Sequence, residues 1–261
     1  MVNKPVIGIA AVVLVVGIGI AYYFHGRSAL PPSEPAPVPP PPAANSEPAI
    51  ENPVPASAAA PSTPLPPLND SDSAVKDGLG SSIGANAMQY LVPEDIVRHV
   101  VVTVDNLPRQ KAPAAKRPTV PVPGTFLVNG DELHATLDPK NFERYDPMVN
   151  VVRQLDMQRL ANTYFHFYPL FQSAYQNLGY PNGYFNDRLV QVIDSLLATP
   201  QPSGPIELTR PNVLYTFADP NLEALPAGQK LLLRMGPDNA AVVKGKLKEL
   251  RAAITAAPPK H

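Results

Sequence analysis

The chain has 261 residues, 35 of them proline, and its 21 Lys+Arg nearly balance 22 Asp+Glu for a net charge of -1. Proline far above its usual share of roughly 5% excludes one continuous compact domain, so part of the chain is expected to be unfolded spacer. The absence of cysteine excludes a disulfide scaffold, a thiolate metal site and a cysteine nucleophile, and the near-zero charge gives no bulk electrostatic case for a nucleic-acid partner.

Residues 1–5 form a short N-terminal tail. Val6 to Phe24 carries no charged side chain, and as a helix it would span roughly 28 Å, close to the hydrocarbon core of about 30 Å. Tyr22, Tyr23 and Phe24 supply an aromatic belt. A cleavable signal peptide would have a shorter apolar region followed by a small-x-small site, whereas bulky Tyr-Tyr-Phe-His follows here. The span therefore reads as an uncleaved transmembrane helix over 6–24, with the lipid bilayer as its partner. Lys4 precedes it and Arg27 follows it, so the positive-inside rule leans only slightly to an N-terminus inside. Gly17-x-x-x-Ala21 is a small-xxx-small pair that would support a weak homodimer through the anchor.

Residues 25–67 read as a Pro/Ala-rich disordered linker, with Pro39 to Pro42 in an unbroken run. Such a stretch has almost nothing to bury, favours polyproline II, and from 31 to 67 would reach roughly 115 Å at ~3.1 Å per residue. A spacer is the simpler reading, with a proline-rich ligand for an aromatic groove as the other.

Residues 68–257 read as a soluble α-rich domain, mainly α with a small β-hairpin. Pro93-Glu94-Asp95 has proline at a first helical position and acids in the first turn. Ile96, Val97, Val100, Val101 and Val104 follow at helical spacing, and Pro108 ends the run. Residues 109–123 look like an exposed loop. Asn129-Gly130 between two short apolar runs predicts a hairpin turn. Asp156 to Leu178 reads as one long helix, kinked at Pro169, with Leu160, Tyr164, Phe167, Phe171, Ala174 and Leu178 on one stripe. Phe185 to Leu196 is the next amphipathic helix. Ile206–Leu208 and Val213–Tyr215 are candidate strands. Ala227–Met235 and Asp238–Ile254 form a final helix pair joined at Gly236-Pro237, with Lys244, Lys248 and Arg251 on the wet side of the last helix.

Several blocks resemble a known family. Val102-Thr-Val-Asp-Asn-Leu-Pro-Arg109, Tyr168-Pro-Leu-Phe-Gln172, Phe185-Asn-Asp-Arg-Leu-Val190 and Ile193-Asp-Ser-Leu-Leu-Ala-Thr-Pro200 carry the resemblance, together with Phe217-Ala-Asp-Pro and the stretch from Gly228 to Gly236. They resemble an uncharacterised bacterial family catalogued as domain of unknown function 3014, over about residues 65–255. The resemblance implies a bacterial envelope protein with an N-terminal anchor. It implies no activity, cofactor or catalytic residue.

Chemical motifs are few. Gly80-Ser-Ser82-Ile-Gly84 fits the G-x-S-x-G pattern, but that chemistry needs a strand before the serine, and a flexible turn is the simpler reading. Gly78-x-Gly80 fails as a dinucleotide fingerprint. His25, His99, His134, His166 and His261 include no pair three or four apart, so no metal site is expected. The densest feature is the aromatic cluster from Tyr164 to Phe185. Most of it reads as core, yet Phe165 and His166 fall off the apolar stripe and are expected to be at least partly exposed. Tyrosines with polar tips suit a groove. The candidate binding residues are therefore Phe165, His166, Tyr168, Asn186, Asp187 and Arg188. No catalytic residue and no cofactor is assigned.

The expected function is a single-pass protein of the bacterial inner membrane whose periplasmic α-rich domain, displayed on a proline-rich tether, binds another envelope protein or a wall polymer. The alternative is a tethered wall hydrolase using carboxylates such as Asp187 and Asp194, two helical turns or roughly 10 Å apart.

Overall fold

The computed structural model describes residues 49–59, 64–112, 116–131 and 134–256. The tail, the span expected over 6–24 and the linker up to residue 48 lie outside them. Among the described residues no helix is long and apolar enough to cross a membrane.

The domain is mainly helical, with two small antiparallel hairpins. In chain order the helices are α1 (Ala56–Ala59), α2 (Asp72–Ile83), α3 (Ala85–Met88), α4 (Ile96–Asn106), α5 (Lys140–Glu143), α6 (Asp146–Gln154), α7 (Met157–Asn177), α8 (Phe185–Leu197), α9 (Pro220–Glu223), α10 (Ala227–Arg234) and α11 (Pro237–Thr255). The hairpins are β1 (Val128–Asn129) with β2 (Thr136–Leu137), between α4 and α5, and β3 (Leu208–Thr209) with β4 (Thr216–Phe217), between α8 and α9.

The long helix α7 is the centre, packing against α1, α2, α4, α8 and α11. Asp156 starts it by accepting from the amides of Gln158 and Arg159 at 3.0 Å each, satisfying donors that no helical carbonyl can reach. Leu160, Tyr164, Phe167, Phe171 and Ala174 are buried as the stripe predicts; Leu178 is not, because it lies at the C-cap beyond the packed turns. At Gly78 of α2 a Cβ would stand 2.6 Å from the Phe167 ring, so only glycine lets α2 approach α7 this closely.

Three expectations are corrected. The helix after Pro93 begins at Ile96, not at the proline. Asp95 takes a left-handed conformation (φ 49°), and the amides of Asp95 and Ile96 are capped by the Asp72 carboxylate of α2 at 2.7 and 2.9 Å. Asn129-Gly130 is not a two-residue turn: Asn129 pairs with Thr136 inside the hairpin, and Gly130 (φ 89°) opens a longer loop. Strand-like pairing also joins the two hairpins, since Leu137 N donates to Ile206 O and Leu208 N to Ala135 O, at 2.9 and 2.8 Å.

The third correction concerns the spacer. Residues 49–59 fall within the stretch read as a disordered linker with almost nothing to bury, yet Val54 and Ala58 are buried and α1 lies against α7. Prolines 53 and 55 have no N–H to satisfy, so this segment brings few donors. The amides of Glu51, Asn52 and Val54 all find side-chain acceptors on the domain.

Candidate functional site

One of those acceptors, Asp187, is a residue singled out in the sequence; the other is the hydroxyl of Tyr184 in the aromatic cluster. Helix α8 begins where the turn after α7 is clamped by Gln172, which donates to Gly183 O at 2.7 Å and accepts from Phe185 N at 2.9 Å. That clamp presents Asn186 and Asp187 to residues 51–54. Asp187 accepts from Glu51 N at 3.1 Å, Asn52 N at 2.6 Å and Asn52 Nδ2 at 3.0 Å. Asn186 is fully buried: it accepts from Tyr164 OH at 3.1 Å and donates to Asn52 O at 2.9 Å and Ile254 O at 3.3 Å. Tyr184 OH takes the Val54 amide at 2.9 Å. The chain's own residues 51–58 thus form a strap over the start of α8.

The other candidates divide. Tyr168 is buried, its hydroxyl donating to Gln172 at 2.9 Å. Burial, then a hydrogen bond with Tyr184, pushes that hydroxyl well above the usual tyrosine range. Burial does the same to Tyr164, helped by Tyr168 and Tyr184. Neither phenol ionises near neutral pH, so both act as packed hydrogen-bonding groups. Phe165, expected to be at least partly exposed, is half-buried at the edge of the core, its ring 5.7 Å from that of Tyr164. His166 is exposed and edge-on to Phe167 at 4.6 Å.

Arg188 turns inward. It lies 3.0 Å from the carboxylate of buried Asp105 in α4 and donates to the Asp105 carbonyl at 2.7 Å. Arg109 (2.6 Å) and Tyr180 (3.2 Å) complete that cluster, and the hydrogen bond to Asp105 raises the Arg109 pKa. The cluster ties α4 to α8 and to the turn after α7. Asp105 and Arg109 lie in the Val102–Arg109 block, but their convergence on Arg188 across the chain leaves no sequence signal.

The carboxylates of the hydrolase alternative are both engaged. Asp187 holds the strap, and Asp194 forms a two-pronged pair with Arg251 of α11 at 2.6 and 2.9 Å. Neither lines the cavity at the α10–α11 corner or the one beside Met157 and Lys246. Ser82 of the G-x-S-x-G match sits inside α2 with no strand before it, bonded to Gly78 O at 2.5 Å and facing Thr163 at 3.1 Å. Among the described residues no group of three His, Asp or Glu is placed to hold a metal ion.

A second site was missed in the sequence. A cavity of about 400 Å³ lies between the hairpins and the α10–α11 corner, walled by Leu137, Phe142, Ile206 and Leu233 and by the Pro/Gly-rich loop from Thr199 to Pro205. Its corner is set by Gly236 (φ 84°), where a Cβ would stand 2.5 Å from the Phe142 ring. Lys244, expected on the wet side of α11, is instead half-buried at this wall and donates to Thr199 O at 2.6 Å. The one visible signal was the proline-glycine density of that loop, which reads in sequence as a plain connector.

Strap and cavity stand at opposite ends of one helix pair. Asn186 starts α8 and Thr199 follows its end, while Ile254 ends α11 and Gly236 precedes its start. The pair is antiparallel, and the length of α8 separates the two sites by roughly 20 Å.

A family model described as protein of unknown function (DUF3014) matches residues 96–251, more than half of the chain, from α4 into the last turns of α11. No curated protein and no solved structure matches it.

Proposed function

The chain belongs to the family described as protein of unknown function (DUF3014), and from that premise we propose that it is a single-pass protein of the bacterial inner membrane. In this reading a span over 6–24 and a proline-rich tether display the α-rich domain in the periplasm, where it serves as a binding or scaffold module for another envelope protein or the wall polymer. The observation that carries the reading is the strap. The last part of the tether is fastened to the domain by Asp187, Asn186 and Tyr184 at one end of the α8–α11 pair. A tether attached this way holds the domain in a defined orientation and points the opposite end, with its cavity, away from the attachment. The engagement of Asp187 and Asp194 in structural contacts favours a binding module over a carboxylate hydrolase.

The test is a C-terminal fusion to a reporter enzyme that matures only outside the cytoplasm, combined with affinity capture of the full chain after crosslinking in intact cells. Reporter activity in the membrane fraction, with a specific envelope protein or wall fragment recovered, is the expected result. A fusion that accumulates in the membrane fraction with an inactive reporter overturns the topology, and release of defined wall fragments by the purified chain overturns the non-enzymatic reading.

A further inference from the structure

We propose that the cavity at the α10–α11 corner binds a small amphipathic anion, an apolar body carrying one carboxylate, and that Lys244 takes the carboxylate. The site stands on shape and charge and does not depend on the anchor. About 400 Å³ falls within the roughly 300–1,000 Å³ typical of small-molecule sites. Leu137, Phe142, Ile206, Leu232, Leu233 and Ala240 supply apolar wall. Among the described lining residues Lys244 is the one ionisable side chain, and no carboxylate faces it there.

Lys244 is held in place rather than free to swing, because its Nζ donates to Thr199 O at 2.6 Å. An ammonium carries three donors, so that bond leaves others for a ligand. The charge is also poorly compensated: burial, and then neighbouring Lys248, lower the Lys244 pKa. A ligand carboxylate supplies the missing countercharge while its apolar body covers the wall. A single lysine with no arginine beside it matches one negative charge better than a phosphate, whose oxygens call for a fork of donors.

The probe is octanoate, titrated calorimetrically into the full chain held in zwitterionic lipid nanodiscs, with octanol and octylamine as neutral and cationic counterparts. Three variants separate the cavity from lipid uptake, which is the same for all of them. Lys244→Met removes the charge and keeps the stem. Lys244→Arg restores a cation. Gly204→Phe places a ring at the cavity wall where an added Cβ meets nothing within 4 Å, and its melting temperature is compared with that of the wild-type chain. The expected result is saturable octanoate binding that weakens about tenfold or more in Lys244→Met, survives in Lys244→Arg, is blocked in Gly204→Phe, and is not matched by octylamine. Octanoate uptake identical in all variants overturns the site. Octanol binding as tightly as octanoate, with Lys244→Met unchanged, overturns the role of Lys244.

Discussion

Phe165 and Phe167 differ by two positions on α7 and by their place in the packing. Phe167 lies 3% exposed against Gly78 of α2, while Phe165 rests half-buried at the core edge. Phe167→Ala should therefore cost about 3–5 kcal/mol. Phe165→Ser should cost about 1–2 kcal/mol, more than an exposed position and less than a core one. Urea unfolding of the two variants checks this, and equal losses would place Phe165 in the core outright. Helical spacing was enough to rank the two residues. It could not show how much cover Phe165 would find, because that cover comes from packing around Tyr164 rather than from the stripe.

Helix α4 has its apolar face in its own sequence and its start in another element. Ile96, Val97, Val100, Val101 and Val104 are all buried, as their spacing dictates. The cap comes from Asp72, across the packed pair α2–α4, so Asp72→Ala should cost about 1–2 kcal/mol and fray the first turn of α4. Loss of amide-exchange protection at Ile96 is the sensitive readout. His99, one turn into the same helix, has its pKa lowered below 6.5 by burial, with Lys116 adding to the effect and Asp95, Asp72 and Glu94 opposing it. The unfolded chain therefore binds more protons at His99 than the folded one as pH falls through about 6.5. Its contribution to stability is complete above that value and is lost on acidification. Between about pH 7 and pH 5 the wild-type chain should lose more stability than His99→Gln, as read from denaturation midpoints. Parallel curves would show that His99 protonates freely in the fold.

At the scale of the whole molecule the strap alters what counts as the domain. Removing residues up to 59 exposes the core under Val54 and Ala58 and leaves Asn186 and Asp187 without their partners at Asn52. A chain beginning at residue 64 should melt at a lower temperature than one beginning at 49. Asp187→Ala in the longer chain should reproduce part of that loss, about 1–2 kcal/mol, and speed proteolysis near residue 52. Identical melting of the two chains would mean that the strap adds nothing to stability.

The sequence by itself determined the family and five of the helices, α4, α7, α8, α10 and α11. Local patterns suffice for these: apolar spacing for α4, α7 and α8, the Gly236-Pro237 stop and start between α10 and α11, and contiguous blocks such as Phe185–Val190. Composition also marked the proline-rich stretch, though not its end, since a few buried side chains among many prolines barely change a composition. Only the tertiary structure decided what each polar residue does. Asn186 and Asp187 look like an open binding pair until residues 51–54 lie over them. Arg188 looks available until Asp105, on another helix, draws it inward. Lys244 looks solvated until the loop from Thr199 closes beside it. In each case the deciding partner is dozens of residues away in sequence, and a hydrogen bond or cavity wall of that range leaves no periodicity for the chain to display.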